Sequence, residues 1–267
     1  MSDEKVGSPN HWPEATCART FWGQHELPPY RRLLADTTAW LEPQPGQRWL
    51  DLGCGCGKLT QAIWEKSEGT VKEVVGIDCA AINARAYEYL RAGMDPKARA
   101  HEVRFLHADF ETGLGSFRDN YFDGVASGLA IQYAESYDAE RGCWTTDAYE
   151  RVLSEVFRVL RPGGWFVFSV NVPRPSWTWV AFTSILGVFR ARRFFRYIHK
   201  AWRMWRYGSW LRREAATGRF LYLHRKEVFT RLERIGYDSL DRRRSFAGQA
   251  YLIRCRKPRT NALSRAA

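Results

Sequence analysis

Three carboxylates recur in one kind of place along the first half of the chain. Asp51 follows the apolar pair Trp49-Leu50, Asp78 follows Val74-Val75-Gly76-Ile77, and Asp109 follows the run from Val103 to Leu106 and His107-Ala108. Each run reads as a short strand, so each acid stands at a strand's carboxyl end or just beyond it. The segment Asp51-Leu-Gly-Cys-Gly-Cys-Gly57 also places Gly53, Gly55 and Gly57 between the first strand and the next helix. Glycine there lets the chain turn sharply and lets its backbone touch a ligand. In an open α/β sheet ligands sit beyond the carboxyl ends of the strands, so acids and glycines together point to a small-molecule site on that rim. The spacing is not the dinucleotide pattern Gly-x-Gly-x-x-Gly. The third glycine comes one residue early, and Lys58 holds the place it would take. Asp51 and Asp109 as isolated, solvated loop acids is the plain alternative; it leaves their recurrence at strand ends without a reason.

The elements that must carry these residues alternate. Helical periodicity runs from Tyr30 to Leu41, ended by Pro43 and Pro45, then from about Lys58 to Glu65, Ala80 to Arg91, and Ala148 to Leu160, which stops at Pro162-Gly163-Gly164. Strands are predicted at Trp49–Leu52, Val74–Asp78, Val103–Leu106, Phe122–Ser127 and Trp165–Val170. Alternation of this kind implies a parallel sheet covered on both faces, doubly wound through right-handed crossovers. A last helix, Lys226 to Ile235, precedes two strands at about Ser239–Arg243 and Gln249–Arg256. Only a few residues join these two, so they should form an antiparallel hairpin. The expected fold is α/β: a doubly wound, Rossmann-like sheet of seven strands with a C-terminal hairpin and a helical insertion after the fifth strand. The chain then divides into an N-terminal segment 1–28, partly ordered, a core 29–172 holding the site, an insertion 173–217, the rest of the core 218–257 and a tail 258–267.

The length of 267 residues suits one such domain with an insertion. The six cysteines lack paired Cys-x-x-Cys spacing, so no metal site is expected and reduced thiols in a cytoplasmic setting are. The start, Met-Ser-Asp-Glu-Lys, has no signal pattern, and no apolar run reaches the roughly 20 residues that span a bilayer. The net charge of +12 is unevenly placed. Val156 to Arg213 holds twelve Lys/Arg and no acid, while the remainder carries 29 basic and 29 acidic residues. Six of the twelve tryptophans lie in that same segment, which concentrates any partner surface there.

Asp51 to Gly57, Gly76-Ile-Asp78, Asp109-Phe110, Asn120-Tyr-Phe-Asp-Gly-Val125 and Leu160-Arg-Pro-Gly-Gly164 resemble the successive motifs of class I methyltransferases. The resemblance covers roughly residues 45 to 171, more weakly 219 to 257. It is nearest the broad group acting on small molecules and lipids, such as quinone, sterol and carrier-protein ester methyltransferases. It implies S-adenosylmethionine as cofactor and a role for each residue. Asp51 with Gly53, Cys54, Gly55 and Gly57 would hold the methionine end. Asp78 would accept from both ribose hydroxyls, which needs a carboxylate with two oxygens. Asp109 would take the adenine amino group with Phe110 beside the ring, and Gly128 would approach the methionine portion. Cys54 and Cys56 stand at variable loop positions as packing residues rather than nucleophiles.

Methyl transfer from a sulfonium is an in-line displacement that alignment alone can speed by about 7–11 kcal/mol. A base is needed only where the attacking atom loses a proton. Gln132 and Tyr133, after the fourth strand, and His224, before the last helix, are the positional candidates, each with a structural role as the alternative. No Asn/Asp-Pro-Pro-aromatic tetrapeptide stands at Ser127 to Tyr133, so resemblance to amino-methylating DNA enzymes stops there.

The insertion has its own pattern. Trp177 to Phe189 is apolar over about 13 residues. On the helix that follows, Phe194, Ile198, Ala201, Trp202 and Trp205 share one face, and Arg192, Arg196, Lys200, Arg203 and Arg206 the roughly opposite one. That pairing fits a helix lying in a membrane interface: the insertion would cap the acceptor pocket, and residues 173–213 would meet an anionic membrane surface, giving access to an amphipathic or lipid acceptor. An ordinary lid with solvated arginines, and a nucleic-acid surface in which arginines grip phosphates and aromatics stack on bases, are the other readings. Tyr133-Ala-Glu-Ser-Tyr137 resembles a stretch of RNA cap methyltransferases, so an RNA substrate is the alternative to a small or lipophilic acceptor. A non-catalytic scaffold keeping the fold is a third, and predicts no cofactor binding.

Overall fold

The computed structural model describes residues 12–94, 102–185 and 194–259. Its strands are β1 Arg48–Leu52, β2 Glu73–Asp78, β3 Val103–His107, β4 Phe122–Gly128, β5 Tyr137–Asp138, β6 Cys143–Trp144, β7 Leu160–Asn171, β8 Asp238–Ser245 and β9 Ala250–Arg256. Its α-helices are α1 Ala15–Phe21, α2 Pro28–Trp40, α3 Lys58–Lys66, α4 Asn83–Gly93, α5 Asp147–Val159, α6 Trp177–Ile185, α7 Phe194–Ala216 and α8 Arg225–Ile235. Seven strands make one sheet in the order β3-β2-β1-β4-β7-β9-β8, and β5 pairs only with β6. The first five of these run parallel, and β9 is antiparallel to both β7 and β8. The α/β sheet with its terminal hairpin is thus the expected one.

Side-chain alternation along β1 sorts the core into two layers. Leu50 and Leu52 face a cluster with Val152 and Val156 of α5 and Val228 and Leu232 of α8. Trp49 faces the other way, onto Ile63 and Trp64 of α3 and Tyr87 of α4. A third cluster sits apart from both. It joins Leu27, Tyr30 and Leu33 to Trp177 and Val180 of α6, Leu211 of α7, and Phe246 in the β8–β9 turn.

Two features differ from the expectations. Residues Leu160 to Gly164 do not stop a helix ahead of a separate strand; they are the start of β7. The register jumps between the pairs Phe122–Leu160 and Gly124–Trp165, so the Pro-Gly-Gly stretch bulges within the strand instead of ending it. The helix expected from Ala80 begins at Asn83, because Ala80 N–H is taken by the Asp78 carboxylate. Residues 12 to 28 carry α1 and a 3₁₀ turn at Gln24–Glu26, and Trp12 and Phe21 pack against the third cluster. In the insertion, residues 186–193, with Arg190 and Arg192, lie outside the described residues, as do the side chains of Phe194, Arg196, Lys200 and Ala201. No helix among the described residues is long and apolar enough to cross a membrane.

Candidate functional site

The strand order reverses between β1 and β4, and the crevice at such a switch point is where a doubly wound sheet binds ligands. Asp51 lies on β1 facing the same side as Trp49, toward α3. It is buried, and its Oδ2 accepts from the Thr60 backbone N–H (2.9 Å) and Thr60 Oγ1 (2.7 Å). One oxygen therefore fastens the first turn of α3 beneath the glycine loop. Burial pushes this carboxyl up to about 7, against the lowering effect of Thr60.

The loop itself is tied to β2. Gly53 and Cys54 N–H both donate to Ile77 O, at 2.9 and 3.0 Å. Gly53 has φ +71°, and a Cβ there would fall 2.2 Å from Ala130 Cβ. Gly55 has φ +52°, but a Cβ there would meet nothing within 4 Å. The first glycine is required by a neighbouring chain segment, the second leaves open space. Gly57 is the N-cap of α3 in a left-handed conformation and faces Tyr87, outside the lining of the cleft.

Asp78, at the end of β2, is bonded on both oxygens. Oδ2 accepts from Gly55 N–H (2.9 Å); Oδ1 accepts from Ala80 N–H (2.9 Å) and Asn83 Nδ2 (3.0 Å). Burial raises its pKa, with these bonds opposing. Asp109 caps the short turn Phe110–Thr112, with Oδ1 accepting from Glu111 N–H at 2.9 Å.

A cleft of about 890 Å³, counted with its open mouth, is lined by Gly53, Gly55, Asp78, Asp109, Phe110 and Gly128. A second lobe, lined by Asp51, Cys54, Cys56 and Lys58, shares Gly53, Gly55, Gly128 and Leu129 with the first. Asp78 and Asp109 thus line one lobe and Asp51 the other, and the two adjoin at Gly53, Gly55, Gly128 and Leu129. The Cys54 thiol is pushed well up by burial, which keeps it protonated and suits packing.

Of the three acceptor-side candidates, only Tyr133 lines the cleft. Its hydroxyl lies 3.3 Å from Tyr222 Oη and accepts from Asn171 Nδ2 at 3.2 Å. Burial pushes it up to about 12, so it stays protonated at neutral pH. Gln132 is fully buried, and its Oε1 accepts from Asn171 N–H, joining the end of β4 to β7. His224 is exposed at the N-cap of α8, where its backbone N–H donates to Glu227 Oε2 (3.0 Å); it does not line the cleft. A helix cap is the physical reason a polar residue precedes that helix.

Part of the cleft's lining is aromatic. Trp12, Phe21 and Tyr30 come from the N-terminal part, Trp177 from α6, and Leu211 from α7. Trp12 lies 4.7 Å from Tyr133, ring to ring. The local signal in the N-terminal segment is three large aromatics, Trp12, Phe21 and Trp22, among mostly polar residues. Glu111 also lines the cleft, its carboxyl raised to about 8 by burial first and then by the charge of Asp109.

The family model described as "Methyltransferase domain" matches residues 50–168, from β1 into β7. Residues 50–168 are a methyltransferase domain. It is of the class I, S-adenosylmethionine-dependent type that the motifs from Asp51 to Gly164 resemble. Among curated relatives of this domain, demethylmenaquinone methyltransferase of Thermus thermophilus is 37% identical over 151 residues, 55% of this chain and 56% of that protein. The 24-methylenesterol C-methyltransferase 2 of Arabidopsis thaliana is 30% identical over 127 residues, 48% of this chain and 30% of that protein. The aligned stretch thus spans 56% and 30% of these two relatives' own length. Among solved structures, the complex of the Haloferax volcanii Trm112 methyltransferase activator with a methyltransferase matches with TM-score 0.63 at 15% identity, over 95% of this chain and 99% of that one. At that identity the likeness speaks for the fold of the methyltransferase domain alone.

Proposed function

We propose that the chain is an S-adenosylmethionine-dependent methyltransferase acting on a small, lipophilic acceptor. The observation that carries this is one crevice with two chemically distinct ends. Asp78, Asp109 and the open side of Gly55 line the first; Trp12, Tyr30, Tyr133 and Trp177 line the second.

The first end fits the cofactor. Gly55 leaves room where a side chain would intrude, and Gly128 likewise meets nothing within 4 Å. Asp78 would take the ribose hydroxyls: a carboxylate has about four acceptor sites, of which its three present bonds use three. Contact with two hydroxyls therefore displaces or shares the bond from Gly55 N–H. Asp109 has its Oδ1 engaged by Glu111, leaving Oδ2 toward an amino group, with Phe110 beside it. Asp51 acts beneath the methionine end by holding α3 and the loop. When bound, S-adenosylmethionine supplies a methyl group already activated on a sulfonium.

At the second end the chain's work is alignment and exclusion of water. Trp12, Tyr30 and Trp177 wall off the acceptor, and the protonated Tyr133 hydroxyl can hold an acceptor oxygen or nitrogen by hydrogen bonding. An apolar lining with few polar groups suits a lipophilic molecule. The sterol and menaquinone methyltransferases among the relatives support the same class of acceptor.

Calorimetry with S-adenosylhomocysteine tests the first end, and transfer of labelled methyl from S-adenosylmethionine into a total lipid extract tests the second. Binding of the nucleoside, lost in Asp78→Asn, together with label in the organic phase is the expected result. No nucleoside binding would return the chain to a scaffold; label only in RNA would move the acceptor to nucleic acid.

A further inference from the structure

We propose that the outer face of α6 and α7 docks on an anionic lipid surface. The inference deepens the reading above and rests on its lipophilic acceptor. Among the described residues six large apolar side chains are exposed, and five sit on these two helices: Trp179 (48%), Phe182 (54%), Ile198 (39%), Trp202 (50%) and Trp205 (38%). Trp179 and Phe182 are three apart on α6 and stack at 5.6 Å. Ile198, Trp202 and Trp205 follow i, i+4, i+7 spacing and share one face of α7.

These residues are not the ones that hold the helices to the domain. Trp177 and Val180 of α6, and Tyr207, Trp210 and Leu211 of α7, pack into the third cluster. The exposed set is therefore surplus to closing the lid, and an apolar patch that nothing covers marks an interaction site.

Charge decides what would cover it. On α7, Arg203, Arg206, Arg212 and Arg213 are exposed, while the helix's one acid, Glu214, is paired with Arg219 at 3.2 Å. The Arg206 guanidinium lies 5.0 Å from the ring of exposed Trp202. Helix α6, by contrast, has no charged residue at all. A nucleic-acid platform needs cations beside its stacking rings; Trp179 and Phe182 have none on their own helix. Aromatics at the acyl boundary with arginines reaching the headgroups is the arrangement of an interfacial helix. Trp177 and Leu211, from the same two helices, line the acceptor end of the cleft, so docking brings the cleft within about one helix diameter, ~10 Å, of the lipid.

Flotation with phosphatidylcholine vesicles, with and without phosphatidylglycerol, tests the proposal on the whole chain. The wild type should float with anionic vesicles and hardly at all with neutral ones. Arg206→Gln with Arg212→Gln should weaken partition by about twentyfold to thirtyfold, from about fivefold per basic residue at such a surface. Trp179→Ser with Trp202→Ser should weaken it at least about tenfold. Both variants should melt like the wild type and bind S-adenosylhomocysteine equally, because neither touches the cleft. The proposal is overturned if the wild type fails to float, if Trp179→Ser/Trp202→Ser floats undiminished, if RNA is retained while vesicles are not, or if sedimentation gives a dimer that Trp202→Ser dissociates. Flotation without nucleoside binding would leave the docking standing and remove the methyltransferase reading.

Discussion

The indole N–H of Trp22 donates to Asn83 Oδ1 at 2.7 Å. Asn83 in turn donates to Asp78, which accepts from Gly55. A residue just beyond α1 thus sets the carboxylate proposed to take the ribose. Trp22→Phe should lower affinity for S-adenosylhomocysteine by about tenfold, the worth of a hydrogen bond in a charged network. Calorimetry checks this, and an unchanged dissociation constant would detach the N-terminal segment from the site.

Two glycines in one loop should respond differently to alanine. Gly53→Ala drives a Cβ to 2.2 Å from Ala130 and should lower the melting temperature while abolishing binding. Gly55→Ala meets no protein atom, so it should cost only about 1 kcal/mol of left-handed strain yet still block the cofactor. Thermal melts paired with calorimetry separate the two.

Asp51 and Glu111 predict a pH dependence with a definite sign. Unfolded carboxyls ionise near 4; in the fold these two hold their protons to about 7 and about 8. Between those limits the folded state binds more protons than the unfolded, so their contribution to stability falls as pH rises from about 4 to 8. Asp51→Asn should flatten part of that decline in melts across pH. A sulfonium in the cleft favours the ionised forms, so the affinity ratio of S-adenosylmethionine to S-adenosylhomocysteine should grow over the same interval. A ratio independent of pH would mean that neither carboxyl senses the charge.

Tyr133 and His224 should part company in turnover. Tyr133→Phe removes the hydroxyl at the aromatic end and should slow methyl transfer about tenfold or more, with cofactor affinity kept. His224→Gln lies at a helix cap and should leave turnover within about twofold. A slow His224→Gln would require that α8 reach the acceptor by a movement absent from this fold.

The lining proposed for the cofactor was legible because its signals are local. Strand ends, a glycine turn and an acid after each strand are set by neighbours in sequence, and Asp51, Asp78 and Asp109 meet because parallel strands share one rim. Two positions took their surroundings from non-local packing. Pro162-Gly163-Gly164 is held within β7 by the chain beyond β9, Gly163 N–H donating to Lys257 O and Gly164 O accepting from Lys257 N–H, and Gly57 faces Tyr87 of α4. Of the aromatic lining, Tyr133 and the covering insertion were legible, and the convergence of the individual rings was not. Trp12, Tyr30, Tyr133 and Trp177 are far apart in the chain, and nothing in their spacing states that they converge.

Periodicity and composition, being properties of neighbouring residues, were enough to determine the sheet's alternation, its hairpin and the basic, tryptophan-rich character of the insertion. Which of the insertion's tryptophans close the cleft and which face outward was decided only in three dimensions. Helical spacing puts Trp202 and Trp205 on one stripe of α7, but only packing against Trp12, Phe220 and the β8–β9 turn selects Tyr207, Trp210 and Leu211 as the buried side. Burial depends on what the rest of the chain brings alongside, and a helix does not carry that information in its own residues.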